Sequence, residues 1–333
     1  MRILILGGSQ FVGRHITEAL AADHEVWLAN RGRTSTDLFG AAGRLDVDRS
    51  DPSAGGDLSA LAEQAFDAVV DVSAYVPRQV REVAEVLGDD FTGRYLLIST
   101  VSVYDPEGAA ADVTETATVV PAVRDTEGVT GKTYGGLKVA CEQEAADAFG
   151  DRLTVVRPGI VAGPHDPTDR LTWWVRHLGD STGMPLPDLR DQPVQAVDAR
   201  DLAGFCRGLL EHGTSGAFDA TGASMPLAQL VEEVVAVVGA AWAGGSTGPT
   251  WVPREAWGEV PLPPMVLDGG DLDGDRAHGA LFRRDSTAAV AAGLERRPLR
   301  ETVTDLLTWD IQRGQPPLQV GPTTEQLSLV GTA

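Results

Sequence analysis

Tyr134 and Lys138 stand four residues apart in the segment TYGGLKVACE, a spacing that puts both side chains on one helix face. A tyrosine hydroxyl titrates near about 10 and is a poor base at neutral pH. A neighbouring ammonium favours the phenolate, so the pair could take a proton from an alcohol or return one. Lysine is scarce here: Lys132 and Lys138 are the only two among 27 basic residues. A third group is expected from the strand end in LLISTVSVY, where Ser99, Thr100 and Ser102 offer hydroxyls. Thr100 is the first choice for a hydrogen bond to a substrate oxygen, and Ser102 the second.

Acid–base chemistry on an alcohol gains its purpose from a redox cofactor, and the N-terminus offers a place for one. MRILILGGSQFVG reads as an apolar strand, a glycine turn and a helix start. Gly7 permits the tight turn, Gly8 adds freedom, and Gly13 lets helix and strand approach. The helix N-terminus, with Gln10, Phe11 and Val12, presents N–H groups to a pyrophosphate. At the end of the second strand, Asn30 stands where an NAD site usually carries a carboxylate, and Arg31 and Arg33 follow. A guanidinium can grip a 2′-phosphate through two parallel hydrogen bonds, so NADP is favoured, with NAD not excluded. Asp48 is a candidate adenine contact.

The elements that must position these groups alternate. Strands are expected at Arg2–Leu6, Glu25–Ala29, Ala68–Val72, Tyr95–Thr100 and Leu153–Arg157, with helices at Phe11–Ala22, Arg78–Leu87 and Tyr134–Phe149. That alternation implies an α/β fold, a Rossmann-type doubly wound parallel sheet with helices on both faces. After Gly163 prolines break the chain. Further strands are expected at Val194–Val197 and Ala217–Ala220, and helices at Asp198–Leu210, Leu227–Gly239 and Leu299–Gln312. The expected dinucleotide-binding domain covers 1–164 and about 191–212. A smaller C-terminal substrate-binding domain covers 165–190 and 213–314, and 315–333 reads as a loose tail.

Bulk properties narrow the partners. The chain of 333 residues carries a formal charge of −21, which disfavours nucleic acid and anionic membranes. Two cysteines, Cys141 and Cys206, cannot build a disulfide framework or a metal cage, and both read as buried hydrophobes. The acidic run Asp268–Asp275 lacks the closing glutamate of a calcium loop, so no metal is expected. Apolar runs are too short for a signal peptide or a membrane span, and the expected location is cytoplasmic.

Taken in order, GGSQFVG, ISTVSVY, YGGLK, VRPGIVAGP and VQAVDARDLA resemble the extended short-chain dehydrogenase/reductases, the NAD-dependent epimerase/dehydratase group, over about residues 1–310. The resemblance implies Thr100, Tyr134 and Lys138 as the catalytic set. It places Val72, Ser73 and Ala74 beside the cofactor, and Arg157, Pro158 and Gly159 at the cofactor–substrate junction. It also implies a homodimer paired through helices. Two departures stand out. Gln10 replaces the middle glycine of the turn, as in an atypical subgroup. Val101 and Ser102 stand where the dehydratases carry an Asp–Glu pair.

On the substrate side, Trp173 and Trp174 suit stacking on a sugar or nucleobase, Arg176 suits an anionic group, and Gln195 points to substrate by family position. Against the tryptophans stands plain packing of the insertion. The leading expectation is an NAD(P)-dependent enzyme that transiently oxidises a secondary alcohol of a sugar- or nucleoside-like small molecule, redox-neutral overall, as an epimerase or dehydratase. The alternatives are an NADPH-dependent reductase of a small-molecule ketone and a non-catalytic cofactor-sensing or RNA-associated binding protein.

Overall fold

A computed structural model describes residues 1–31, 43–49, 58–62, 64–106, 108, 112–180, 183–241, 248–267 and 281–331. Arg33, Trp242 and the Asp268–Asp275 run lie outside the described residues.

The sheet grows outward from the first strand. Residues 3–6 are wholly apolar and wholly buried, as expected for a parallel strand covered on both faces. Successive side chains point to opposite faces. Ile3 and Ile5 pack with Ile16 and Leu20 of the Phe11–Ala21 helix and with Leu202 and Phe205 of the Ala199–Glu211 helix. Leu4 and Leu6 pack with Val80 and Val83 of the Pro77–Leu87 helix and with Cys141 and Ala145 of the Tyr134–Phe149 helix. The strands are β1 (Arg2–Leu6), β2 (Glu25–Asn30), β3 (Gly43–Asp46), β4 (Ala68–Asp71), β5 (Arg94–Ile98), β6 (Leu153–Pro158) and, after four short strands, β11 (Gly216–Ala220). They pair in parallel in the order β11-β6-β5-β4-β1-β2-β3. The order reverses between β1 and β4, and ligands of such sheets bind in the crevice at the carboxyl ends of the strands there.

Local sequence explains the helix ends. Pro77 occupies the first helical turn, where no N–H partner is missed, and the Gln79 side chain accepts from the N–H of Tyr75 at 2.8 Å. Asp198 caps the helix at Ala199 by accepting from Arg200 N at 2.8 Å.

A second lobe has its own core of Leu171, Trp173, Trp174, Leu230, Val234, Trp257, Phe282 and Leu306. Three two-stranded ribbons frame it: β7 (Ile160–Ala162) with β10 (Ala196–Asp198), β8 (Pro185–Pro187) with β13 (Thr250–Val252), and β9 (Pro193–Val194) with β12 (Met225–Pro226).

Three expectations need correction. The strand expected at Val194–Val197 is divided, because Val194 pairs with Met225 while Ala196 pairs with Ile160. The strand expected at Ala217–Ala220 belongs to the dinucleotide-binding sheet as its edge, pairing β6, so that sheet extends past the boundary drawn at 213. The segment from 315 is docked rather than loose. Trp173 Nε1 donates to Pro322 O at 2.9 Å, Gly331 N to Ala256 O at 3.0 Å, and Leu327 is buried.

Candidate active site

The glycine turn is as tight as its composition suggests. Gly7 has φ +90°, and a Cβ there would lie 2.7 Å from Ser73 Cβ. A Cβ on Gly13 would come within 2.3 Å of Gly7 O. The helix then starts at Phe11, and no side chain caps it at Gln10. Its first amides therefore lack an intramolecular cap, which is the arrangement that suits a pyrophosphate. Gly7, Gln10, Phe11, Val12 and Gly13 line a cleft of about 620 Å³. Gly8 does not; it is buried against Thr17, Leu28 and Ile5, so its role is packing, a correction to its expected place in the phosphate site.

At one end of the cleft lie Asn30, the exposed Arg31 and Asp48, and along it Val72, Ser73, Pro158 and Gly159. Ala74 is buried beneath the cleft wall and contributes its carbonyl, not its side chain. Below this end Arg49 forms a two-pronged ion pair with Asp71, at 2.8 and 2.7 Å, and Asp71 also accepts from Tyr95 at 2.7 Å. Arg49 holds the Asp71 carboxyl below its ordinary range despite complete burial.

Beyond β5 the chain enters a short 3₁₀ turn, Val101–Val103, capped by Thr100, whose Oγ1 accepts from Ser102 N at 3.1 Å. Thr100, Ser102, Tyr134 and Lys138 all face the cleft that the glycine turn opens. Tyr134 lies beside Thr100, close enough for the hydroxyl to act on its phenol. Its phenol sits above the ordinary value, because burial and the nearby Tyr75 oppose charge, while Thr100 and the Arg170 guanidinium pull the other way. The net lowering expected from the spacing of Tyr134 and Lys138 is therefore not found, and burial is the largest influence. Lys138 Nζ donates to Ala74 O and Ile98 O, each at 2.7 Å, which occupies two of its three donors. Burial lowers its affinity for a proton.

The sheet side of this site is braced by charge. Ser99 Oγ donates to Glu142 Oε1 at 2.5 Å, and Glu142 pairs with Arg157. Arg157 Nη1 donates to Tyr104 OH at 2.8 Å, and Tyr104 OH donates to Asp219 at 2.7 Å. Arg284, from the second lobe, completes the chain by donating to Asp219 at 2.9 Å. Arg157 therefore supports the site from below instead of lining it.

Four expected substrate residues lie elsewhere. Trp173 and Trp174 are fully buried, their Nε1 atoms donating to Pro322 O and Pro264 O at 2.9 Å, so they form the core of the second lobe. Arg176 pairs with Asp310 through contacts of 2.6 and 2.7 Å. Gln195 is buried, its side chain tied to the backbone of Gly222 and Arg284. All four lie in or near the right insertion, but the amphipathic register of the Arg170–Asp180 helix turns the three on that helix inward. Sequence reading missed Tyr75 and Arg170, both of which line the cleft. Tyr75 lies four residues beyond the end of β4, in the loop at the carboxyl end of the sheet where ligands bind. Its ring lies 6.5 Å from that of Tyr134. The two cysteines are buried, and burial pushes both thiols up to about 12.

A glycine turn at a strand switch point, facing a threonine, tyrosine and lysine across one cleft, defines a dinucleotide-dependent α/β enzyme. The profile of the NAD dependent epimerase/dehydratase family matches residues 3–219. The chain belongs to that family. Among solved structures it is similar to a putative epimerase from Burkholderia cenocepacia, at 22% identity over 94% of this chain and 98% of that one, with a TM-score of 0.68. It is also similar to the Bordetella bronchiseptica enzyme WbmH in complex with NAD+, at 18% identity over 94% and 99%, TM-score 0.67. A third is UDP-glucuronic acid 4-epimerase from Bacillus cereus in complex with NAD, at 14% identity over 94% and 99%, TM-score 0.62. A comparison with curated protein sequences gives no match. Among the described residues no helix is long and apolar enough to cross a membrane, and no cluster of three metal-ligating side chains occurs.

Proposed function

We propose that the enzyme transiently oxidises a secondary alcohol of a sugar- or nucleoside-like small molecule and returns the same hydride, so that the outcome is epimerisation or elimination without net redox change. The observation that carries this reading is the placement of Thr100, Tyr134 and Lys138 together on the wall of the cleft that the glycine turn opens. A nicotinamide dinucleotide, when bound, supplies a hydride acceptor and donor. Gly7, Gln10, Phe11, Val12 and Gly13 would hold its pyrophosphate, and Val72, Ser73, Pro158 and Gly159 would flank it. Thr100 donates a hydrogen bond to the substrate oxygen. As the phenolate, which the Arg170 charge and a bound oxidised nicotinamide would favour, Tyr134 would take the alcohol proton at its phenolic oxygen and later give it back. Lys138, anchored on two carbonyls, keeps a positive charge beside the site.

Asn30 at the end of β2, with Arg31 exposed beside it, supports NADP as the preferred cofactor. Structural neighbours carry NAD, so a direct affinity comparison decides: tighter NAD binding, unchanged in Arg31→Ala, would reject the NADP preference. The redox-neutral cycle is tested by turnover. The expected result is cofactor retained through purification, with no net change in reduced-nicotinamide absorbance while substrate converts. Stoichiometric consumption of NADPH would instead make the protein a reductase.

A further inference from the structure

The substrate side of the cleft presents a guanidinium that makes no direct ion pair among the described residues. Arg170 opens its helix half-buried and lines the cleft together with Thr100, Ser102 and Tyr134. Its Nη1 donates to Thr168 Oγ1 at 3.1 Å, and among the described residues no carboxylate comes within ion-pair distance. Among the described residues Arg94, Arg152 and Arg296 also bond only to hydroxyl or carbonyl oxygens, but they do not line this cleft. Arg49 pairs with Asp71, Arg157 with Glu142, Arg176 with Asp310 and Arg200 with Asp198.

The carboxylates nearest in sequence are engaged elsewhere. Asp169 accepts from Arg313 Nη2 at 2.5 Å and from Gln319 N at 3.3 Å. Asp166 accepts from Thr168 N at 2.8 Å and Thr168 Oγ1 at 2.6 Å; burial favours its neutral carboxyl and the Arg170 charge its carboxylate, but Thr168 stands between the two and no direct ion pair forms. Arg170 is close enough to Tyr134 for its charge to favour the phenolate. A half-desolvated guanidinium of this kind binds carboxylate or phosphate oxygens through strong, directional, charge-assisted hydrogen bonds.

We propose that Arg170, held in place by Thr168, binds an anionic group, a carboxylate or a phosphate, that the substrate carries near the carbon whose hydroxyl Tyr134 addresses. The proposal rests on the reading of the cleft given above and adds the substrate class. Anchoring an anion there selects which of several hydroxyls on a sugar-like ring is offered to Thr100 and Tyr134, and it disfavours neutral analogues.

The test uses the full chain saturated with NADH, with cofactor fluorescence reporting a second ligand. Probes are D-glucuronate for the carboxylate, glucose 1-phosphate and inorganic phosphate for the phosphate, and glucose as the neutral control. One or both anion types should bind while glucose does not, and the stronger arm identifies the group. Arg170→Gln should weaken that binding at least tenfold and Arg170→Lys should recover part of it, with NADH affinity unchanged in both. Anion binding unaltered in Arg170→Gln, or absent from the NADH-loaded wild type, overturns the proposal while leaving the cofactor reading intact. Failure of the wild type to bind either nicotinamide cofactor overturns both.

Discussion

Glu142 and Arg157 meet in a two-pronged pair, Oε1 to Nε at 3.0 Å and Oε2 to Nη2 at 2.6 Å. Glu142 lies one helical turn beyond Lys138, and its Oε1 also accepts from Ser99, the residue before Thr100. The pair thus ties the helix that carries Tyr134 and Lys138 to the strand end that carries Thr100. Both side chains are only about a tenth exposed. Removing one member of such a pair strands a charge, so Glu142→Ala is expected to cost about 3–5 kcal/mol in a urea melt. Glu142→Gln keeps the shape and should retain more stability while lowering kcat more than it raises KM. Equal stability of Glu142→Ala and wild type would show that the brace is idle.

Removing the phenolic oxygen while keeping the ring is the sharpest test of the proposed acid–base role. Tyr134→Phe should reduce kcat by roughly 10²–10⁴-fold, the usual contribution of a positioned acid–base group. Cofactor affinity, measured by titration, should stay unchanged. Lys138→Met should lose stability as well as rate, because the buried carbonyls of Ala74 and Ile98 would lose their ammonium donor, leaving Ala74 O only the weak Cys141 thiol.

Asp219 predicts a pH signature. Burial raises its carboxyl to about 6 despite the Arg284 and Tyr104 donors. A folded-state value above the unfolded one means that the native state binds the extra proton between those values. The stabilisation is complete below the unfolded value of about 3.9 and disappears as pH rises through about 6. The stability of wild type relative to Asp219→Asn should therefore increase as pH falls from 7 to 4. A difference that stays flat across that window would contradict the assignment.

Gly321 holds the C-terminal segment against Trp173. Its φ is +81°, and a Cβ there would lie 2.5 Å from Trp173 Nε1. Gly321→Ala should cost about 1–3 kcal/mol through backbone strain and displacement of the Trp173 to Pro322 hydrogen bond. A thermal melt together with tryptophan emission would register both effects, and an unshifted melt would mean that the segment adapts freely.

What sequence pattern could reveal was periodic or punctuated. Apolar runs at 3–6, 68–70 and 95–98 announce strands buried on both faces, and the Tyr134–Phe149 helix has the bounds that its residues suggest. The glycine turn and the Thr100, Tyr134 and Lys138 grouping were legible because chemistry ties those residue types to fixed spacings. Partners distant in sequence were not. Trp173, Trp174 and Arg176 looked like binding groups by type, but whether a helix turns such residues inward depends on Pro264, Asp310 and Pro322, nearly a hundred or more residues away. Arg170 was invisible for the opposite reason. Its significance lies in the carboxylate it lacks, and only the placement of Asp166 and Asp169 shows that.

The edge strand β11 bears on how such enzymes could be recombined. Because Gly216–Ala220 returns to the dinucleotide sheet after the chain has already built part of the second lobe, neither lobe is a contiguous cassette. Grafting a relative's substrate lobe by one cut near 213 would carry off the sheet's margin and, with it, the Asp219 carboxylate that Tyr104 and Arg284 share. A workable chimera would need to keep residues 216–220 with the first lobe and to inherit Asp219 and Arg284 from the same parent.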